Sequence, residues 1–368
     1  MTVVMGCIFS KVEGGDKYQV QSSTPTSPSK ASDAPGADAK KLDPKDFIFL
    51  ERKGETLVKP PGSIDGQQFV LDSCEDCEIY LLDVCDSVMI DDCKRCKIVV
   101  GPTTGSVFLR DCESCVLVAV CRQFRTRDCV DVDSRLLVAT KPIIETSSNM
   151  RFGCFDFHYD AIGAQLKASG MTPYSNFWSH VFNFNKETHP DWSLVPADAT
   201  AIEALAPLPE VPGLAGVEEA LRAVGADGQP PLCFRTWGER GPVAKSGEGC
   251  LVLVPEADEP MAREMVQMTA GKAVLVRTNS CALSEPWLAE FLNRADADIT
   301  EVDGSALGFD IAERARVVKA LARGKCVGLE FGGAGCVEAV RAVAEAAGFA
   351  ALTDPGQYAE WRYKGVEG

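Results

Sequence analysis

Positive charge is in short supply in this chain of 368 residues: 37 Lys and Arg stand against 53 Asp and Glu, a formal net charge of -16. A nucleic-acid-binding protein draws affinity from a basic stripe that releases counterions from phosphates, and this balance excludes that class of partner. Long apolar runs are missing as well. No stretch approaches the roughly 18 to 20 residues that a transmembrane helix needs, so any membrane attachment has to be covalent or through a partner. No secretory h-region is present, and the chain is long enough to build a core without covalent staples. Its sixteen cysteines therefore read as reduced cytosolic thiols rather than as a disulfide framework. Histidine is rare: His158, His180 and His189 are scattered among aromatic and polar residues, share no motif, and read as packing or surface groups. Neither a G-x-G-x-x-G fingerprint nor a Walker lysine-serine pattern occurs, so the loop Gly332-Gly333-Ala334-Gly335 reads as a tight turn rather than a phosphate cradle.

What is present falls into distinct stretches. Residues 11–45 carry Ser22-Ser23-Thr24-Pro25-Thr26-Ser27-Pro28 and little that could be buried, a composition that predicts a flexible tether. From Phe47 to Val195 short runs of Val, Ile, Leu and Cys alternate with Asp, Lys and Gly, the pattern of many short strands. Prolines 196, 207, 209, 212, 230 and 231 among alanines predict a linker around one short helix near Val217–Val224. Beyond Cys233 strands are expected at Cys250–Val254, Ala273–Arg277 and Lys325–Phe331, with helices from Pro260, near Pro286–Arg294 and from Val337. That alternation indicates an α+β or α/β unit. The divisions are thus 1–45, 46–205, 206–232 and 233–368.

A repeat organises the first of the two large units. Cys74 and Cys77 are followed nineteen residues later by Cys93 and Cys96, and nineteen later again by Cys112 and Cys115. One coil of a triangular β-solenoid uses about this many residues and stacks on the next at roughly 4.8 Å. Equivalent cysteines would then form an inward ladder, a role that suits a small, readily buried side chain. The alternative is zinc, since C-x-x-C is also metal-ligand spacing; against it, the pairs sit inside apolar runs without glycine-rich knuckles. A redox role has less support, because no thioredoxin-type context surrounds the pairs.

The repeat is followed by Cys121-Arg122-Gln123-Phe124-Arg125-Thr126-Arg127-Asp128-Cys129, Lys141-Pro142-Ile143-Ile144-Glu145, Phe152-Gly153-Cys154-Phe155 and Asp191-Trp192-Ser193-Leu194. This ordered set resembles the tubulin-cofactor-C family. With Met5-Gly6-Cys7-Ile8-Phe9-Ser10-Lys11 and the second unit, it resembles the branch of that family typified by the X-linked retinitis pigmentosa protein of the second locus. The resemblance implies a right-handed parallel β-helix followed by a ferredoxin-like α+β domain, degenerate in the nucleoside-diphosphate-kinase manner. Kinases of that type carry phosphate on a histidine, and all three histidines precede this domain, so no kinase or nucleotide hydrolase activity is expected of the chain alone.

The family implies activation of an Arf-like small GTPase, with release of lipidated ciliary cargo. GTP and magnesium would be carried by the partner, the chain having no cofactor or metal of its own. Arg125 matches the family's arginine finger and Glu145 the acidic residue that supports it. Gln123 lies two residues before Arg125, on the same face of an extended strand. Phe184 matches an aromatic contact with the GTPase, and Arg127 shares the face of Arg125. Without the resemblance, Arg125, Arg127 and Glu145 would read as solvated salt bridges worth under about 1 kcal/mol, and Phe184 as core. Arg135, matched by nothing, is expected on the surface. Gly6 and Cys7 fit dual myristoyl and palmitoyl acylation if translation starts at Met5, which would place the protein on the cytoplasmic face of the plasma membrane and at the ciliary base. Alternatives are a non-catalytic effector or scaffold for the GTP-bound GTPase, and a tubulin-folding cofactor.

Overall fold

The computed structural model describes residues 43–185, 191–196, 199–209, 214, 234–238, 248–255, 259–290, 321–322, 324–347, 349, 351–352 and 361. Residues 11–42 of the expected tether, the linker helix near 217–224 and the acylation residues Gly6 and Cys7 lie outside them, while the tether's last two residues belong to a short 3-10 helix, Pro44–Phe47.

The first unit is a parallel β-helix with two long walls. One wall stacks β1 (Ile48–Leu50), β3 (Phe69–Asp72), β5 (Val88–Asp91), the C-terminal halves of β6 (Lys97–Arg110) and β7 (Val116–Arg127), β9 (Ile143–Glu145) and β11 (Phe182–Asn183). The other stacks β2 (Thr56–Lys59), β4 (Glu78–Leu81), the N-terminal halves of β6 and β7, β8 (Asp133–Val138), β10 (Met150–Cys154) and β12 (Trp192–Leu194). Single bridges Lys53–Glu75–Lys94–Glu113–Val130–Ser148 make the narrow third side.

The corners explain the cysteine spacing. Each of these six cysteines directly follows a left-handed residue: Ser73 and Asp76, Asp92 and Arg95, then Asp111 and Ser114. Asp and Ser tolerate that conformation because a short polar side chain bonds locally. Each turn so made aims the next side chain inward at a corner too narrow for a long residue. Cys74, Cys93 and Cys112 stack in one column and Cys77, Cys96 and Cys115 in another, all at most 1 % exposed. Their thiols donate to backbone carbonyls: Cys112 Sγ lies 3.3 Å from the Ile90 oxygen, and Cys96 Sγ 3.4 Å from that of Cys74. Among the described residues no group of three His, Cys, Asp or Glu side chains is arranged to hold a metal ion.

The column continues where the 19-residue period does not. Lys97 pairs with Val116, a step of 19, but Val116 pairs with Asp133, a step of 17. The fourth corner therefore falls at Asp128 and Asp131, with Cys129 below the first, and the fifth at Thr146 and Asn149.

The outer face of the second wall is covered. Tyr80, Val99, Val118, Val120 and Leu137 pack against Phe155, Phe157 and Tyr159, against α1 (Ile162–Ala168), and against α2 (Ala201–Leu205), with Leu214 beside them. A Thr200–Glu203 capping box starts α2. This layer corrects the expectation for Arg135, which is 3 % exposed and paired with Asp133 at 2.7 Å. An arginine on a bare coil would have been solvated; under this layer it requires a carboxylate. Burial pushes the Asp133 and Asp156 carboxyls above their usual range.

The second unit is a four-stranded antiparallel sheet. Its elements run β13 (Gly249–Pro255), α3 (Glu259–Thr269), β14 (Val274–Ala282), β15 (Lys325–Gly332), α4 (Cys336–Ala346) and β16 (Ala351–Leu352), in the spatial order β14-β15-β13-β16. Helices after its first and third strands make this a ferredoxin-like arrangement. It abuts the solenoid: the Trp178 indole donates to Thr236 Oγ1 at 2.8 Å and the Ser175 hydroxyl to the Ser280 oxygen at 3.3 Å.

Three measurements follow from this packing. Of the sixteen cysteines, the fourteen described are all buried, which leaves Cys7 and Cys233; burial also pushes the Cys85 and Cys121 thiols up. An aromatic disulfide reagent should therefore titrate no more than those two rapidly in native protein and all sixteen after denaturation. A Cβ at Gly328 would meet the Trp361 ring at 2.2 Å, so Gly328→Ala should lower the stability of the second unit by about 1–3 kcal/mol in denaturant melts. Asp156 binds its proton more tightly folded than unfolded, so its stabilising contribution, present at low pH, is lost as pH rises through the raised value. Relative to wild type, Asp156→Asn should gain stability between pH 4 and pH 7 in paired melts; a constant difference would contradict this.

Candidate functional site

Because the second wall is covered, the chemistry has to be sought on the first. Alternation along β7 turns Phe124 and Thr126 inward, both fully buried, and leaves Gln123, Arg125 and Arg127 outside. Parallel register then sets their neighbours. Ser106 lies opposite Gln123, Phe108 opposite Arg125 and Arg110 opposite Arg127 on β6, while β9 places Ile143 beyond Arg125 and Glu145 beyond Arg127.

Arg125 reaches diagonally, so that its Nη2 lies 2.6 Å from Glu145 Oε1. The two side chains are 43 % and 27 % exposed, so the pair is half in solvent and one end of the guanidinium is presented outward. Arg125 Nε is buried without a hydrogen-bond partner among the described residues. Arg127 sits 3.7 Å from Asp128, and Arg110 is paired with Asp91, whose carboxyl burial pushes up against the pull of that arginine.

Beside this row stand two exposed rings. Phe182 and Phe184 are 48 % and 55 % exposed and meet edge to face at 4.7 Å. Their backbone is pinned: Phe182 N donates to the Pro142 oxygen at 2.8 Å and Phe184 N to that of Ile144 at 2.9 Å. Asn183 and Asn185 both donate to Asp191 Oδ2, at 3.0 and 2.8 Å. Holding two large apolar side chains in water on a fixed backbone marks a contact surface.

The structure thus brings Gln123, Arg125, Arg127, Glu145 and Phe184 to one open face. Two contributors were not singled out from the residues alone. Asp191 was visible only as part of a motif, its role being to clamp the Phe182–Asn185 segment. Phe108 was hidden because its partner lies 17 residues ahead rather than 19.

The parallel β-helix with its bare, arginine-bearing wall contains a domain of the tubulin-cofactor-C class: the family model for tubulin binding cofactor C matches residues 66–184. The chain is 38% identical over 344 residues to Protein XRP2 of Xenopus laevis, covering 92% of this chain and 90% of that one. It is 36% identical to Protein XRP2 of Homo sapiens over 338 residues, covering 91% and 88%, and 33% identical over 151 residues to the tubulin-folding cofactor C of Arabidopsis thaliana, covering 40% and 44%. The chain belongs to the XRP2 family.

Adjacent residues on β7 should separate site from scaffold. Arg125→Ala is expected to change unfolding free energy by less than about 1 kcal/mol, since its ion pair is half exposed. Phe124→Ala should cost about 3–5 kcal/mol by emptying the core, both read from urea melts.

Proposed function

We propose that the protein activates the GTPase of an Arf-like small G protein by lending it Arg125. The carrying observation is that this guanidinium stands on the bare wall of a rigid coil, tethered by one carboxylate, beside exposed rings held on a clamped segment. Hydrolysis of GTP spreads negative charge over the departing and bridging oxygens, and an arginine delivered in trans stabilises it, typically by about 10³ to 10⁵ in rate. The partner brings the nucleotide, magnesium and water. Gln123, on the same face, offers an amide to orient the attacking group or the partner's backbone. Glu145 holds Arg125 in a productive rotamer, so that less freedom is lost on docking. Phe184 and Arg127 form the seat. Release of lipidated ciliary cargo follows if GTP hydrolysis ends the partner's hold on it.

Acylation of Gly6 and Cys7 would hold the protein at the cytoplasmic face of the plasma membrane, with a pool at the ciliary base. One acyl chain binds a membrane only marginally and two bind stably, so both residues are needed. A tubulin-linked role is the second reading, supported by the similarity of the solenoid to a tubulin-folding cofactor.

Single-turnover GTP hydrolysis by Arf-like proteins, with wild type and Arg125→Ala, tests the proposal. Wild type should accelerate hydrolysis, and the alanine variant should lose at least about 10³-fold at saturating concentration while still binding. Nucleotide-selective binding without acceleration by wild type would instead make the protein an effector. Release of tubulin from a cofactor complex would support the second reading.

A further inference from the structure

We infer that Phe108 is a positioning residue that presets the orientation of the Arg125 guanidinium; this rests on the activator reading above. Phe108 lies directly opposite Arg125 in the β6–β7 register, half-buried on the open wall. Three guanidinium carbons surround its ring, those of Arg110, Arg125 and Arg127 at 5.6, 5.8 and 5.8 Å from the centroid. All lie within the roughly 6 Å range over which a ring quadrupole attracts a cation.

Three like charges around one ring would repel one another. Here each has its own carboxylate on the same surface: Asp91 for Arg110, Glu145 for Arg125 and Asp128 for Arg127. With the charges matched, the ring acts as a shared platform. Glu145 accepts from only one nitrogen of Arg125, and a single hydrogen bond leaves the planar fork free to swing about it. The buried Nε has no hydrogen-bond partner among the described residues, so the second restraint on the fork is packing, and the residue opposite in register is Phe108. A fork held within reach of a ring has fewer orientations open to it before the partner arrives, and the attraction strengthens when docking expels water. Lysine, lacking a planar head, could not be preset in this way.

The experiment is single-turnover GTP hydrolysis by the GTP-loaded partner, titrated with full-length wild type, Phe108→Tyr, Phe108→Leu and Phe108→Met, and with Phe108→Leu in the Arg125→Ala background. Melting curves check that each variant is folded. The tyrosine variant keeps the ring and should stay within about 2-fold of wild type in maximal rate, whereas the leucine and methionine variants should lose about 5- to 30-fold. In the Arg125→Ala background the leucine change should alter maximal rate by less than about 2-fold, because the group it acts through is gone. An equal loss in both backgrounds overturns the proposal, as does a rise in half-saturating concentration with maximal rate unchanged, which would make Phe108 a docking residue only. If wild type itself gives no acceleration, the activator reading fails at the first arm and is thereby told apart from failure of Phe108 alone.

Discussion

The parallel stacking of coils is the constraint on which the rest depends. Each wall strand hydrogen-bonds the coils before and after it, so the position of any side chain is set by its register on its neighbours rather than by its own loop. Register survives because the corners cannot slip: left-handed residues aim a side chain inward at each bend, a cysteine from Cys74 to Cys129 and Val132, Ser147 and Met150 thereafter, and a slip of one residue would turn inward side chains out and outward charges in. The thiols suit the corner because they are small, apolar enough for the interior, and able to donate weakly to a corner carbonyl, as Cys96 does to the Cys74 oxygen that also accepts from Lys94 N.

That rigidity is what makes a half-exposed arginine useful. A surface ion pair such as Arg125–Glu145 contributes little to stability, and here its value is geometric. The guanidinium carbon lies 5.8 Å from the centre of the Phe108 ring, and the side chain is tied diagonally to the next coil, beside two rings whose segment Asp191 clamps. Every one of these partners comes from a different coil or from the returning chain.

Much was legible from the residues. The Cys74–Cys115 period announced the coil, and Arg125, Gln123 and Arg127 read as one face because a strand alternates every two residues. After Cys233 the strands expected at 250–254, 273–277 and 325–331 and the helices expected from Pro260 and Val337 are present, whereas the short strand Ala351–Leu352 was not expected. Three features resisted for physical reasons. The shortening from 19 to 17 residues per coil broke the period and hid both the Cys129 corner and the pairing of Phe108 with Arg125. Arg135 read as exposed because nothing local reveals that the chain from Phe155 to Leu214 folds back over its wall. Asp191 reads as one more acid until two asparagine side chains converge on it.

By itself the sequence determined local matters: the inward and outward alternation of each strand, the corners that need left-handed residues, the absence of a phosphate-carrying histidine in the second unit, and membership of a class through ordered motifs. Tertiary structure alone decided which wall stays open and which carboxylate meets which arginine. Those depend on residues 17 to 20 positions apart, or more, meeting across stacked coils, and on a covering layer whose contacts no short-range pattern encodes.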